Sequence, residues 1–88
     1  MNLRELECFV AVYEAKGFAR AALALKTAQS NVSTHIRRLE NELGVQLFDR
    51  RQRGIVPTPK GERLYQHAKR VIALVADTEN ALRDEQAA

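Results

Sequence analysis

Apolar side chains recur at helical intervals through the first half of the chain, and their spacing predicts three helices. Each stretch repeats apolar positions three and four residues apart, which places them on one face of a helix. The predicted helices span about Leu3–Ala15, about Phe18–Leu25 and about Gln29–Leu43. Gly17 suits a turn or a helix cap after the first helix, and Gly44 suits the end of the third.

A tight connector separates the second and third helices, and this arrangement indicates a helix-turn-helix over about 18–37. Only Lys26, Thr27 and Ala28 lie between the two helices. The inward positions of the second helix are mostly Ala, which allows another helix to approach closely. An ordinary small helical bundle is the alternative, because the number of helices is the same in both arrangements.

A different pattern follows at about 46–58, where two short apolar runs flank a cluster of arginines and a glycine. Pro57 and Pro59 exclude a regular helix at the end of this segment, because proline lacks an N–H and restricts the residue before it. The pattern predicts a small two-stranded hairpin, or wing, whose basic tip carries Arg51 and Arg53.

The last third of the chain predicts one long helix. Thr58 suits its N-cap and Pro59 its first turn, and Gly61 is the only later glycine or proline. A helix from Pro59 to about Glu85 reaches about 40 Å. Its apolar positions alternate spacings of four and three, as in a coiled-coil seam. The seam and its flank contain Leu64, Ala68, Val71, Ile72, Val75, Thr78 and Leu82.

So long a helix cannot bury this seam within a small domain of its own, so the pattern favours a homodimer. In this interpretation, residues 1–58 form a winged helix-turn-helix domain and residues 59–88 form a dimerisation helix. The alternative is a helix that folds back on its own domain.

The 88-residue chain has the composition of one small globular domain, with 45% hydrophobic and 28% charged residues. No apolar run approaches the roughly 20 residues that span a bilayer. No signal-peptide segment opens the chain, so we expect a cytoplasmic, nucleoid-associated protein without membrane contact. The single Cys8 excludes an internal disulfide, and its position beside an apolar stripe favours a buried hydrophobic role.

Basic residues are concentrated in the middle of the chain. Residues 16–63 contain ten Lys or Arg and four Asp or Glu, whereas both flanking segments carry more acidic than basic residues. This distribution is typical of a domain that binds a polyanion.

The third helix combines this charge with an outward face of neutral hydrogen-bonding groups. With Val32, Ile36 and Leu39 directed inward, the opposite side begins with Gln, Ser and Thr and continues with arginine. Neutral side chains of this kind can read base edges in a DNA major groove, whereas cations and helix N-termini hold phosphates. Helix capping is the alternative, but it accounts for one such residue rather than four. The predicted base-reading residues are Gln29, Ser30, Ser33 and Thr34.

The segment "VSTHIRRLENELGVQLFDR", with Ala21 and Ala22 before it, resembles the N-terminal domain of LysR-type transcriptional regulators. The resemblance covers residues 1 to about 85. It implies a mainly α fold, in which three helices and a two-stranded wing form a winged helix-turn-helix and a long linker helix dimerises. It also implies contacts to the DNA backbone from the wing and the recognition helix. The residues expected to make those backbone contacts are Arg20, Asn31, Arg37, Arg38, Arg51, Arg53 and Thr58.

Several positions depart from the family pattern. Gly17 and Ala19 stand where the family often has Ser and Thr, so we expect fewer side-chain contacts to phosphate at the second helix. Ser30 replaces a frequent Pro, and Thr34 replaces a frequent Arg or Lys, which makes that position a poorer guanine reader. Pro57 replaces a common Leu and is expected to weaken the second strand of the wing.

The family also carries a larger C-terminal effector-sensing domain that these 88 residues do not contain. The chain is therefore expected to be either an excised DNA-binding part or a natural short relative. A small-molecule effector is expected to act only through that domain, and tetramer formation is expected to depend largely on it.

We therefore predict a homodimeric, sequence-specific double-stranded DNA-binding domain of a bacterial transcription regulator, with a roughly palindromic site. A dimerisation or protein-docking module is the second hypothesis, but it leaves the neutral face of the third helix unexplained. An enzyme has little support, because no catalytic constellation or phosphate-binding glycine loop appears. No cofactor and no metal site are predicted, because His35 and His67 have no ligand partners at suitable spacing.

Overall fold

The computed structural model describes residues 1–50 and 54–87, and it shows a mainly helical molecule with a small antiparallel wing. The three helices of the first half occupy the predicted residues. The winged helix-turn-helix with a long final helix is therefore confirmed. The elements are α1 (Leu3–Ala15), α2 (Phe18–Leu25), α3 (Gln29–Leu43), β1 (Phe48–Asp49), β2 (Val56–Pro57) and α4 (Pro59–Ala87).

Lysines, rather than glycine, take the left-handed backbone conformation at the ends of α1 and α2. Lys16 and Lys26 have φ angles of 59° and 57°, whereas Gly17 is extended, with φ of 179°, and forms the N-cap of α2. The Lys16 N–H donates to the Val12 carbonyl at 2.9 Å. This bond satisfies a carbonyl that the end of the helix would otherwise leave unpaired, and it closes α1 just before the turn.

The first three helices pack around a core that the wing completes. Phe9 of α1, Ile36 of α3 and Leu47, which precedes β1, are all fully buried. Phe48 enters the same core, with its ring centroid 5.3 Å from that of Phe9. The base of the wing is thereby held beside the helix-turn-helix.

The wing is an antiparallel pair of two-residue strands, in which Phe48 lies opposite Pro57. Pro57 has no N–H to donate to the ladder, and the short second strand agrees with the expected weakening. The Thr58 N–H donates to the Leu47 carbonyl at 2.9 Å and closes the base of the wing.

The first half of α4 packs against the domain of its own chain. Gly61 lies against the backbone of Leu47, with no room for a side chain between them. Ala68 is only 1% exposed, and Leu64 and Ile72 are partly buried against the same core. The prediction that Ala68 lies in a seam between two chains was therefore wrong, because its own domain covers it.

The second half of α4 extends away from the domain, and the molecule measures 53 × 25 × 19 Å. Val71, Leu74 and Leu82 are 44%, 66% and 58% exposed, and we call these three residues the exposed stripe. Val75 is half-buried, and the exposed Thr78 donates its hydroxyl to the Leu74 carbonyl at 2.7 Å. The first turns of the helix thus pack against its own domain, whereas its later turns leave apolar surface exposed.

Candidate nucleic-acid interface

The apolar face of α3 orients the helix and places its polar face at the surface. Val32, Ile36 and Leu39 follow one another at intervals of four and three residues and are fully buried. Ala21 and Ala22 of α2 are also buried, and their small side chains allow α3 to lie close to α2. The side of α3 opposite this contact faces solvent.

The four predicted base-reading residues all lie on the first two turns of α3. Gln29, Ser30 and Thr34 are exposed, and Ser33 is half-buried. Within the described part of the chain, none of these four side chains has a hydrogen-bond partner, so their donors and acceptors are free. Ala28 is the N-cap of α3 and supplies no side-chain bond. Helix capping, the alternative explanation, is therefore wrong for these residues.

Three of the predicted backbone-contacting residues also belong to α3. Arg37 and Arg38 are exposed, and neither has an ion-pair partner among the described residues, so both charges are available. The side-chain amide of Asn31 donates to the Thr27 hydroxyl at 2.9 Å, which fixes Asn31 beside the connector from α2.

A basic hollow lies between the N-terminus of α2 and the base of the wing, and we call it the trough. Its volume is about 580 Å³. It is lined by Lys16, Gly17, Phe18, Ala19, Arg20, Gln29, Arg50, Gly54 and Ile55. All three charged side chains in this lining are basic, so the trough attracts anions. Arg20, a predicted backbone contact, lies here, and Gln29 joins the trough to the polar face of α3.

Two cations of the trough, Lys16 and Arg50, were absent from the predicted site. The Arg50 guanidinium lies 4.8 Å from the centre of the Phe18 ring and 3.8 Å from a carboxylate oxygen of Glu40. The other oxygen of that carboxylate accepts the Leu47 N–H at 2.8 Å, so Arg50 is anchored to the fold. Arg50 ends the quoted family motif, which was the signal available in the sequence.

The N-termini of α2 and α3 leave backbone donors without side-chain partners. Their N-caps, Gly17 and Ala28, make no side-chain hydrogen bond. By contrast, Asn2 caps α1, and the Thr58 hydroxyl accepts a backbone N–H at the start of α4. Free N–H groups and the positive end of a helix dipole together favour anions, so both helices of the helix-turn-helix present such an end.

The structure gives Thr58 a role different from the predicted one. Its hydroxyl donates to the Gln46 carbonyl at 2.6 Å and accepts from the Gly61 N–H at 3.0 Å. Its hydroxyl hydrogen is thus donated within the chain, and a contact between Thr58 and a phosphate stays a prediction. Arg51 and Arg53, at the predicted wing tip, lie outside the described residues.

Other reactive groups do not form a site in the part of the chain that the structure describes. No group of three His, Cys, Asp or Glu side chains there could hold a metal ion. Cys8 is buried, and burial raises the pKa of its thiol above the ordinary 9.0, which keeps it protonated. His35 has a buried Nδ1 with no hydrogen-bond partner among these residues. Within the same residues, no helix is long and apolar enough to cross a membrane.

Known proteins are similar to this chain in sequence and in fold. Residues 3–62 match the family described as "Bacterial regulatory helix-turn-helix protein, lysR family". The HTH-type transcriptional regulator BenM of Acinetobacter baylyi is 44% identical over 75 residues, which are 85% of this chain and 25% of BenM. The chain spans between 25% and 52% of the length of the first curated relatives that it matches.

Two solved structures with DNA have the same fold along their whole length. The BenM DNA-binding domain in complex with catB site 1 DNA has a TM-score of 0.96 and 38% identity, and the match covers 100% of this chain and 99% of that one. The complex of the CbnR DNA-binding domain with DNA has a TM-score of 0.91 and 34% identity, and the match covers 97% and 98% of the two chains. The likeness therefore includes α4 as well as the helix-turn-helix.

Proposed function

The chain belongs to the LysR family of bacterial regulatory helix-turn-helix proteins, and from this premise we propose that it reads a specific sequence of double-stranded DNA as a homodimer. The outward face of α3 carries the proposal. It presents neutral side chains whose donors and acceptors are free, and exposed arginines follow them on the same helix. The DNA complexes of domains with the same fold support this assignment.

In the proposed complex, the first two turns of α3 enter the major groove. Gln29 can form two bonds to an adenine, because its side-chain NH2 donates and its side-chain carbonyl accepts, and adenine presents one acceptor and one donor there. Ser30 and Ser33 can donate to or accept from several bases. Thr34 can add contact between its methyl group and that of a thymine.

The trough and the cations around it would hold the phosphate backbone. The uncapped N-terminus of α2 supplies free N–H groups, and the surrounding cations supply charge at the same place. The proposed backbone contacts are Lys16, Arg20, Asn31, Arg37, Arg38 and Arg50, together with Arg51 and Arg53 of the wing.

Residues 1–58 would bind DNA, and residues 59–88 would pair two chains through the exposed stripe. A two-fold axis between the chains would require a roughly palindromic site with half-sites one helical turn, or a multiple of it, apart. Such binding would place the protein on the bacterial nucleoid. Effector sensing and tetramer formation would belong to regions beyond these 88 residues, as the family resemblance implies.

A selection from a randomised duplex pool, followed by sequencing, tests the proposal. Bound duplexes are selected at two salt concentrations, and fluorescence anisotropy gives their affinity. We expect enrichment of a palindromic motif and an affinity that falls steeply with salt. Salt-dependent binding without enrichment would contradict base reading by α3, and the absence of duplex binding would favour a protein-docking module.

Two substitutions on α3 separate base reading from phosphate binding. Gln29→Ala should cost about 1–3 kcal/mol on the selected duplex and relax selectivity at one base pair. Arg37→Ala should weaken binding to selected and scrambled duplexes alike and reduce the salt slope by about one. The measurement is anisotropy with both duplexes. If Gln29→Ala weakened binding to both equally, its base-reading role would be wrong.

A further inference from the structure

Four side chains join α1 to α4 outside the proposed DNA surface, and we call them the junction cluster. The rings of Tyr13 and Tyr65 stack, with centroids 3.8 Å apart and planes 7° from parallel. The Tyr65 hydroxyl donates to Oε2 of Glu14 at 2.6 Å, and Lys69 Nζ lies 3.3 Å from the same oxygen. None of the four belongs to α3 or lines the trough.

The junction cluster is a further place, after the start of the helix, that holds α4 along its axis. At the start, Gly61 lies against the Leu47 carbonyl. Two turns later, Ala68 is buried and the adjacent Lys69 belongs to the cluster. A helix held at one point can pivot, whereas a second contact further along fixes its direction. Beyond the cluster, Ile72 is the one partly buried residue, among those that the structure describes, that packs against the domain core before the exposed stripe continues.

The length of α4 amplifies any change in its direction. From Lys69 to Ala87 the helix extends about 27 Å. A pivot of about 10° at the junction cluster would move its far end by about 5 Å, which exceeds the rise of about 3.4 Å per base pair in DNA. Leu82, the member of the exposed stripe furthest from Lys69, lies about 20 Å along the helix from it and would move by about 3.4 Å, so such a pivot would shift a paired domain by about one base pair.

We propose that the junction cluster sets the distance between the two DNA half-sites, because it fixes the direction in which α4 carries its pairing surface. The inference rests on the proposed function, since it needs two chains that pair through α4 and bind DNA. Its four members are positioning residues, which select a spacing without touching the DNA.

Spacing preference measured by competition tests this inference. The selected duplex is compared with duplexes that have one or two base pairs added or removed between the half-sites. We expect the unaltered chain to prefer one spacing by at least about tenfold, and Tyr65→Leu, which loses both the stack and the hydrogen bond, to retain less than about threefold. Affinity for a duplex with a single half-site should change by less than about twofold, which a general loss of structure would not allow.

Milder variants and a matched control separate the two parts of the cluster. Tyr65→Phe keeps the stacked ring but loses the bond to Glu14, so its spacing preference should be intermediate. Glu14→Gln should act in the same direction. Glu7→Gln removes the same charge from the same face of α1, two turns earlier and outside the junction cluster, and should leave the preference unchanged. Circular dichroism establishes that each variant is folded.

The possible outcomes separate this inference from the proposed function. A folded, dimeric Tyr65→Leu chain that keeps the original spacing preference would overturn the inference. If Tyr65→Leu does not fold, unchanged spacing in both Tyr65→Phe and Glu14→Gln would overturn it. If the unaltered chain binds paired half-sites but prefers no spacing between them, the inference is overturned and the proposed function is not. No paired half-sites at all would overturn the proposed function and the inference with it.

Discussion

Single residues decide how closely the elements of this molecule approach one another, and the approach at Gly61 leaves no space for a side chain. A Cβ atom at this position would lie 2.1 Å from the Leu47 carbonyl oxygen. That oxygen also accepts the Thr58 N–H, so it cannot move without disturbing the base of the wing. The position of the first turn of α4 therefore depends on glycine, which has no side chain, at residue 61.

Gly61→Ala should lower the free energy of unfolding by about 2 kcal/mol or more, because a methyl group forced against fixed backbone must displace it. Denaturant unfolding measures this loss. Gly17→Ala is the control, because Gly17 has extended backbone and nothing within 4 Å of an added Cβ. It should lose about 1 kcal/mol at most, as expected for an N-cap. Equal losses at the two glycines would contradict the role of close approach.

At the residue scale, the sequence predicts which side of a helix a residue lies on better than it predicts which groups that residue contacts. The outward position of Gln29 and Thr34 follows from the spacing of Val32 and its successors, because a helix has a fixed period. The role of Thr58 did not follow, because its hydroxyl bonds a carbonyl twelve positions away in the chain. The trough position of Lys16 likewise depends on packing that brings the end of α1 to the wing.

At the scale of elements, the helices of the helix-turn-helix begin differently from those that frame them. Asn2 and Glu5 form a capping box at the start of α1. The starts of α2 and α3 have no side-chain cap, and they lie at the proposed DNA surface. The starts of α2 and α3 thus lack the stability that a side-chain cap would add, and their free N–H groups can bind a phosphate.

Ala28→Ser should raise the free energy of unfolding by about 0.5–1 kcal/mol, because a serine hydroxyl can accept a free N–H of α3. The midpoint of thermal unfolding should rise by several degrees, about 4 °C for the middle of that range. Ala24→Ser, at an exposed position inside α2, is the matched control and should not stabilise. Equal effects at both positions would show that a cap is not the cause.

The contact between α1 and α4 should depend on pH through Glu14. Its bond from Tyr65, and then its contact with Lys69, hold the pKa of Glu14 below the ordinary 4.5. The bond to Glu14 also raises the pKa of Tyr65 above 10.0. The carboxylate therefore contributes stability above pH 4.5 that is lost as the pH falls through its lowered pKa. The stability that Tyr65 contributes is fully present below pH 10.0 and is lost as the pH rises through its raised pKa.

Thermal unfolding between pH 7 and pH 3 measures this dependence. Glu14→Gln should unfold at a lower temperature than the unaltered chain at pH 7, and the difference should shrink as the pH falls below 4.5. A difference that stays constant to pH 3 would show that the charge of Glu14 does not stabilise the contact. Glu7→Gln, on the same face of α1, is the control for loss of a carboxylate.

The sequence predicted the elements well and their mutual contacts only in part. Apolar spacing located α1, α2 and α3, because each has one buried face and clear ends. For α4 the same spacing showed which side is apolar but not what covers it. Consequently Ala68 and Leu82 were assigned to one seam, although the first is buried in its own domain and the second is exposed.

At the scale of the whole molecule, the uncovered half of α4 determines how two chains should meet. Leu74→Glu should raise the dissociation constant of the dimer by at least about 30-fold, because it would bury an unpaired charge in an apolar interface. Sedimentation equilibrium measures this. Leu23→Glu is the control, since Leu23 is 79% exposed on α2, away from α4. If Leu74→Glu dimerised as tightly as the unaltered chain, pairing would lie elsewhere.

The division of α4 into a docked half and a free half also has an evolutionary consequence. On the proposed pairing, substitutions at docked positions such as Ala68 would affect the folding of the domain, whereas substitutions at exposed positions such as Leu74 and Leu82 would affect the choice of partner. After a gene duplication, two copies of such a regulator would at first form mixed dimers. A few changes near Leu74 and Leu82 would separate the two populations while both copies still recognised the same operator, so independent regulation could precede any change in DNA sequence preference.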